Sequence, residues 1–205
     1  FQYCYSLSSA TIPSSCTIFG ACVFTNARSL ISVIIPYGVK SCTLNFVYGC
    51  YALTTIVIPN SVTSLATSAI RQCCSLSSIV IPRITSIENY VFQENTSLSS
   101  IVLPNSMNII VSQQFTNCFS LSSIVIPPSV TVIDASAFSN CYGMSFYDFS
   151  NHIAVPTLQS PSVFSGIPSD CKIIVPDNLY DAWIAATNWS TYESYIIKKS
   201  DWDAL

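Results

Sequence analysis

The chain has 205 residues, of which 50% are hydrophobic and only 8% charged, with 7 Lys+Arg, 10 Asp+Glu and one His for a net charge of -3. So apolar a composition excludes a disordered chain, the absence of a basic patch argues against a nucleic-acid surface, and a single His excludes any mechanism or metal site that needs two. No run of about 20 apolar residues is present, so no spanning helix is expected.

From the first residue the sequence repeats itself. Segments of the form Leu-x-x-Ile-x-Ile-Pro begin at Leu7, Leu30, Leu53, Leu76, Leu98 and Leu121. They end at Pro13, Pro36, Pro59, Pro82, Pro104 and Pro127, with spacings of 23, 23, 23, 22 and 23 residues. A unit this short cannot bury its own apolar side, so the units must stack. Phe1 opens the chain part-way through a unit, as a piece of a longer array would, and no signal peptide is seen.

Within each unit the alternation predicts a short strand. Its inward pair is Val33 and Ile35 in the second unit, then Ile56/Ile58, Ile79/Ile81, Ile101/Leu103 and Ile124/Ile126. Stacked strands would form a long parallel sheet, with Pro tolerated where the ladder stops. A Val-x-x-Ile segment follows as a second short strand or extended turn. The 22-residue unit lacks one residue after Pro82, so Ile84 and Ile87 take these two slots. A turn then leads to an aromatic slot, filled by Phe1, Phe24, Val47, Ile70, Phe92, Phe115 and Phe138.

The pattern decays after Met144, Tyr147 and Phe149. Residues 1–176 are read as the array, regular to about 149 and irregular over 150–176. Residues 177–205 are read as a helical cap and tail, with Asp177 as N-cap and Leu179, Trp183 and Ala186 on one face. Trp183, Trp189, Tyr192 and Ile196 are expected to cover the last apolar layer.

The unit "SLSSIVIP", followed by "SVTVIDASAFSNCYG", resembles the BspA-like class of leucine-rich repeats. The segment "FSGIPSDCKIIVPDNLYDAWIAATNWSTY" resembles the tail that closes such arrays in intestinal Firmicutes. The resemblance covers Phe1 to about Ile196. It implies a leucine-rich repeat solenoid, mainly β, that is secreted or held at a cell surface, binds partners and carries no catalytic motif. The chain departs from the family where its usual small residue before Ala-Phe is replaced, as in Cys42-Thr43-Leu44-Asn45-Phe46.

Three residues before each anchor Leu stand Cys4, Ala27, Cys50, Cys73, Asn95, Cys118 and Cys141. This column reads as small buried thiols that pack as minor hydrophobes. Side chains pointing the same way along a sheet oppose disulfide torsions. Cys16 and Cys42 fall in apolar core slots. No Cys/His set has zinc-site spacing, and no cofactor is expected.

Two surfaces are candidates for binding. The outward strand positions Ile34, Val57, Val80, Val102 and Val125 form an aliphatic stripe beside a hydroxyl column of Ser9, Ser32, Thr55, Ser78, Ser100 and Ser123. The stripe is either a partner patch or plain β-propensity. The second surface holds Tyr3, Tyr5, Arg28, Tyr48, Tyr51, Arg71, Phe119 and Tyr142, with Thr25, Asn26, Gln72, Gln93, Glu94, Asn117, Ser139 and Asn140 nearby. These residues differ between units while core slots agree. Tyr and Arg suit a recognition surface, and ordinary loop variation is the other reading.

His152 has no Ser/Asp partners, and five scattered Gly make no phosphate loop. Asp134, Asp148, Glu88 and Glu94 lie in different units. The expectation is a noncatalytic extracellular binding or adhesion module for a protein or glycan. The alternative is a spacer or self-associating array, and a glycoside-acting enzyme is more distant. No nucleic-acid or membrane-inserted partner is expected.

Overall fold

The computed structural model describes residues 1–205. The chain winds into a solenoid whose first coil carries no strand; from Ser32 onward the coils place a strand of three or four residues on one side and, as far as Leu158, a two-residue strand on the other. In chain order these are β1 (Ser32–Ile34), β2 (Ser41–Cys42), β3 (Thr55–Val57), β4 (Ser64–Leu65), β5 (Ser78–Val80), β6 (Ser86–Ile87) and β7 (Ser100–Val102). They continue as β8 (Ile109–Ile110), β9 (Ser123–Val125), β10 (Val132–Ile133), β11 (Phe146–Asp148), β12 (Thr157–Leu158) and β13 (Lys172–Val175).

All pairings are parallel, and the register follows the repeat. Ser32 faces Thr55 across β1 and β3. Ser78 faces Ser100 across β5 and β7, one residue less, which is the 22-residue unit. Leu65 faces Ile87, so the shortened unit keeps its second strand in place. The expected Val-x-x-Ile strand is therefore real. The expected single long sheet is not continuous. On the three-residue side, ladder pairing groups β1 with β3, β5 with β7, and β9 with β11 and β13. Across the gaps between these groups the coils stay joined by backbone hydrogen bonds elsewhere, as from the Val47 N–H to the Ala69 carbonyl at 2.9 Å and from the Ser122 N–H to the Ser99 carbonyl at 3.3 Å.

One cluster of 51 buried residues, from Phe24 to Ile196, forms a single core. The aromatic slot becomes a column of rings. Phe92, Phe115, Phe138 and Phe164 stack with centroids 5.2–5.6 Å apart and nearly parallel planes. Val47 and Ile70 interrupt it. Phe46, one position earlier, fills the space and meets Phe24 edge-on at 5.7 Å.

The turns before and after this slot use left-handed backbone. One column runs Tyr3, Asn26, Gly49, Gln72, Glu94, Asn117, Asn140 and Gly166, all at positive φ. Asn and Gly accept this conformation readily. At Gly49 a Cβ would also fall 2.6 Å from the Asn26 side-chain oxygen.

The cysteine column is buried as expected from Cys50 to Cys141, but its members do more than pack. Each thiol donates to the backbone carbonyl of the aromatic slot one coil earlier. Cys50 donates to Phe24 at 3.1 Å, Cys73 to Val47 at 3.4 Å, Cys118 to Phe92 at 3.2 Å and Cys141 to Phe115 at 3.3 Å. Asn95 does the same through its amide, reaching the Ile70 carbonyl at 2.8 Å, and accepts from the Cys73 N–H at 2.8 Å. From Cys50 onward the slot is thus a donor slot, which explains why Asn substitutes for Cys there, while Ala27 one coil earlier is buried without a side-chain donor.

Burial pushes the Cys42, Cys50, Cys141 and Cys171 thiols up to about 12, and Cys73 and Cys118 well above their ordinary value. Cys16 departs from its expected core placement. It is only half-buried, and Cys4 in the same first coil is exposed. Native-state thiol labelling should therefore proceed at Cys4, Cys16, Cys22 and Cys74, with the other six reacting only on unfolding. Fast labelling of more than these four would contradict the buried column.

The C-terminal segment closes the solenoid. A 3₁₀ turn over Asp177–Leu179 leads into α1 (Tyr180–Ala185). A second 3₁₀ segment (Trp189–Tyr195) leads into β14 (Ile196–Lys198) and α2 (Lys199–Asp203). Trp183, Trp189, Tyr192 and Ile196 are all buried, as expected of a cover. Trp189 donates its indole N–H to the Pro156 carbonyl at 2.7 Å. β14 pairs with β13, so this segment adds a further strand as well as helix. Asp177 is not an N-cap: it lies inside the 3₁₀ turn, the cap positions fall on Pro176 and Leu179, and its carboxylate accepts from the Ser200 N–H at 3.0 Å, tying down the tail.

Candidate functional site

The aromatic and arginine residues of the second surface lie on one edge of the solenoid, where the turns bring equivalent positions of successive coils together. Arg28 lies between two rings, 5.0 Å from the centre of Tyr5 and 5.5 Å from that of Tyr51. Tyr3 leans on Tyr5 at 6.2 Å. Arg71 lies 5.5 Å over Tyr48 and pairs with Glu94, whose other oxygen accepts from the Gln72 amide. Burial pushes the Glu94 carboxyl up, but the bonds from Gln72 and Arg71 outweigh it and hold the group below its ordinary value.

Further along the same edge Phe119 and Tyr142 stack at 5.6 Å. The Tyr142 hydroxyl donates to the Asn140 side chain at 3.0 Å, and Asn140 donates to Asn117 at 2.9 Å. Cys74 and Thr96 interrupt the slot, and the eight residues fall into three contacting groups, Tyr3–Tyr5–Arg28–Tyr51, Tyr48–Arg71 and Phe119–Tyr142. Tyr3, Tyr5, Arg28, Tyr51, Phe119 and Tyr142 are exposed, while Tyr48 and Arg71 are half-buried.

Three nearby slots do not belong to this surface. Thr25, Gln93 and Ser139 are buried. Their side chains turn inward and bond to the Asn45 carbonyl, the Gln113 amide oxygen and the Ser162 carbonyl.

The sheet side carries the aliphatic stripe as the alternation requires. Ile34, Val57, Val80, Val102 and Val125 are all exposed, beside the hydroxyl column. Asp148 is the next member in register and ends the stripe. The amides of Asn105 and Asn151, which sequence reasoning did not single out, flank it at a hollow.

The carboxylates are dispersed. Glu88 accepts from the Thr67 N–H and hydroxyl, and Asp148 accepts from the Ser150 N–H. His152 is buried against Phe149 and Trp183, with Nδ1 3.1 Å from the Phe149 carbonyl, and burial lowers its pKa. Its second nitrogen faces no partner.

The family model described as the BspA type leucine rich repeat region matches residues 1–93 and 65–182, together most of the chain. The chain belongs to the BspA-type leucine-rich repeat family. Solved leucine-rich repeat proteins share its fold. One from Bacteroides ovatus is 24% identical with a TM-score of 0.63, covering 85% of this chain. The T. pallidum leucine rich repeat protein is 24% identical with a TM-score of 0.65, also over 85% of this chain. The pneumococcal vaccine antigen PcpA is 16% identical with a TM-score of 0.57, over 93% of this chain. This BspA-type chain spans 57% of the B. ovatus protein, 81% of the T. pallidum protein and 40% of PcpA. No curated protein matches it.

Proposed function

We propose that this BspA-type chain is a noncatalytic extracellular or surface-held module that binds a protein or glycan through its turn edge. The observation that carries the reading is the exposed Tyr5–Arg28–Tyr51 stack with the Phe119–Tyr142 pair farther along. Rings held by their neighbours offer large contact area at small entropy cost. The side chains involved are not needed by the core, since other coils put Cys74 and Thr96 in the same slot. Family membership supports a place outside the cell, and no helix of the chain is long and apolar enough to cross a membrane.

The reading predicts saturable binding of the chain to some member of a panel of purified matrix proteins, mucin-type glycans and bacterial surfaces. It further predicts loss of that binding in a Tyr5→Ala/Tyr51→Ala/Phe119→Ala variant. A second reading, self-association, is favoured by the unbroken exposed stripe from Ile34 to Val125. Light scattering decides it, because a monomer at every concentration removes it.

A further inference from the structure

The sheet face carries three hollows that share a spacing. The first, of about 490 Å³, lies between Ser9 and Thr11 of the first coil and Ser32 and Ile34 of β1, beside Tyr37. The second, of about 380 Å³, lies between Thr55 and Val57 of β3 and Ser78 and Val80 of β5. The third, of about 480 Å³, lies between Ser100 and Val102 of β7 and Ser123 and Val125 of β9. The second and third open where ladder pairing lapses, and each hollow is two coils from the next.

Their linings share a chemistry as well. Each pairs an aliphatic floor with Ser or Thr hydroxyls on one side, and the third adds Asn105 and Asn151 on the other. None of the three is lined by a charged residue. An uncharged lining complements a neutral ligand: burying an unpaired charge there would be costly.

Spacing and hydrogen bonding together narrow the neutral polymers. Two coils advance about 10 Å, whereas a β-extended peptide repeats a side-chain direction every 6.8 Å or so, out of step with the hollows. A polyproline-II peptide repeats about every 9.3 Å, nearer the step, but its recurring side chain need not bring a hydroxyl to the Ser and Thr column. In a β-1,4-linked glycan successive sugars are flipped, so the same sugar face recurs every second residue, at nearly the two-coil step. The geometry points to a neutral, extended β-1,4-linked glycan lying along the solenoid axis, with alternate sugars seated in the three hollows. The apolar C–H faces of those sugars rest on Ile34, Val57, Val80, Val102 and Val125. Their hydroxyls bond to the Ser and Thr column. This inference rests on the reading of the chain as a noncatalytic binding module and names the ligand class of its sheet face.

Calorimetric titration of the 205-residue chain with cellohexaose, cellobiose and maltohexaose tests it. Cellohexaose spans the three hollows and is expected to bind at least about tenfold more tightly than cellobiose, because linked contacts add. Maltohexaose coils and should bind no better than cellobiose. Val80→Glu and Val102→Glu sit at positions 79% and 74% exposed, where the fold tolerates change, and each should weaken cellohexaose binding at least about tenfold. Ile18→Ala, at an exposed position outside the hollows and the turn edge, should not. Absence of cellohexaose binding, equal binding of the two cello-oligosaccharides, equal binding of maltohexaose, or insensitivity to both Glu variants in folded protein would each overturn the assignment. If the turn edge binds a ligand while cellohexaose does not bind, this inference fails and the binding-module reading stands.

Discussion

Trp183→Ala is expected to destabilise the protein by about 3–5 kcal/mol, the cost of truncating a large buried aromatic side chain. Trp183 is buried against Phe149, His152 and Trp189, where the last regular layers of the solenoid would otherwise meet water. In a stacked array each layer is stabilised by its neighbours, so opening the end weakens β11 and β13 first. Hydrogen exchange should show those strands losing protection before the coils near Phe46. The indole N–H of Trp183 has no partner, so Trp183→Phe removes an unsatisfied donor along with volume and should cost within about 1 kcal/mol. Trp189→Phe removes the bond to Pro156 and should cost more. Urea unfolding of the three variants checks the order. A Trp183→Ala protein as stable as the parent would show that the C-terminal segment is no cover.

Asn95→Leu should cost about 2–5 kcal/mol, because it leaves two buried backbone groups without partners. These are the Ile70 carbonyl and the Cys73 N–H, both now bonded to Asn95. Asn95→Cys keeps the donor that Cys50, Cys118 and Cys141 supply in the same slot, losing only the acceptor, and should cost about half as much. Thermal unfolding measures the difference. Equal cost for Leu and Cys would show that the column acts by volume alone.

The spacing of the prolines made the coil legible, and with it the inward strand pairs, the outward stripe and the burial of the cysteine column. These follow from period two on a strand and from a fixed repeat, both of which sequence displays directly. The donor role of the column was visible only as Asn95 among cysteines. A thiol column suggests packing, whereas an amide in the same slot signals a hydrogen bond. The left-handed turn column was visible as Asn26, Gly49, Asn117, Asn140 and Gly166, hidden by Gln72 and Glu94, which adopt the same conformation at some cost. Asp177 misled because a carboxylate before an apolar face has the form of a cap, while its partner Ser200 arrives from a tail folded back by β14.

At the candidate site, sequence placed the residues on one edge but not their grouping. Whether Arg28 is free or held between Tyr5 and Tyr51 depends on side-chain directions across coils 23 residues apart, which periodicity alone does not specify. Thr25, Gln93 and Ser139 looked like surface variation because polar residues seldom face inward without partners. Here the turns supply those partners. The hollows were not legible at all, since the repeat is the same at coil boundaries that pair and those that do not.

The binding account is tested most directly by the Tyr5→Ala/Tyr51→Ala/Phe119→Ala variant, measured beside the parent chain for both melting temperature and affinity for whichever panel ligand the parent binds. The account predicts at least about a tenfold loss of affinity, as truncating central aromatic contacts produces, with a melting temperature that stays within a few degrees because these side chains stand outside the core. A folded variant that binds as tightly as the parent would contradict it.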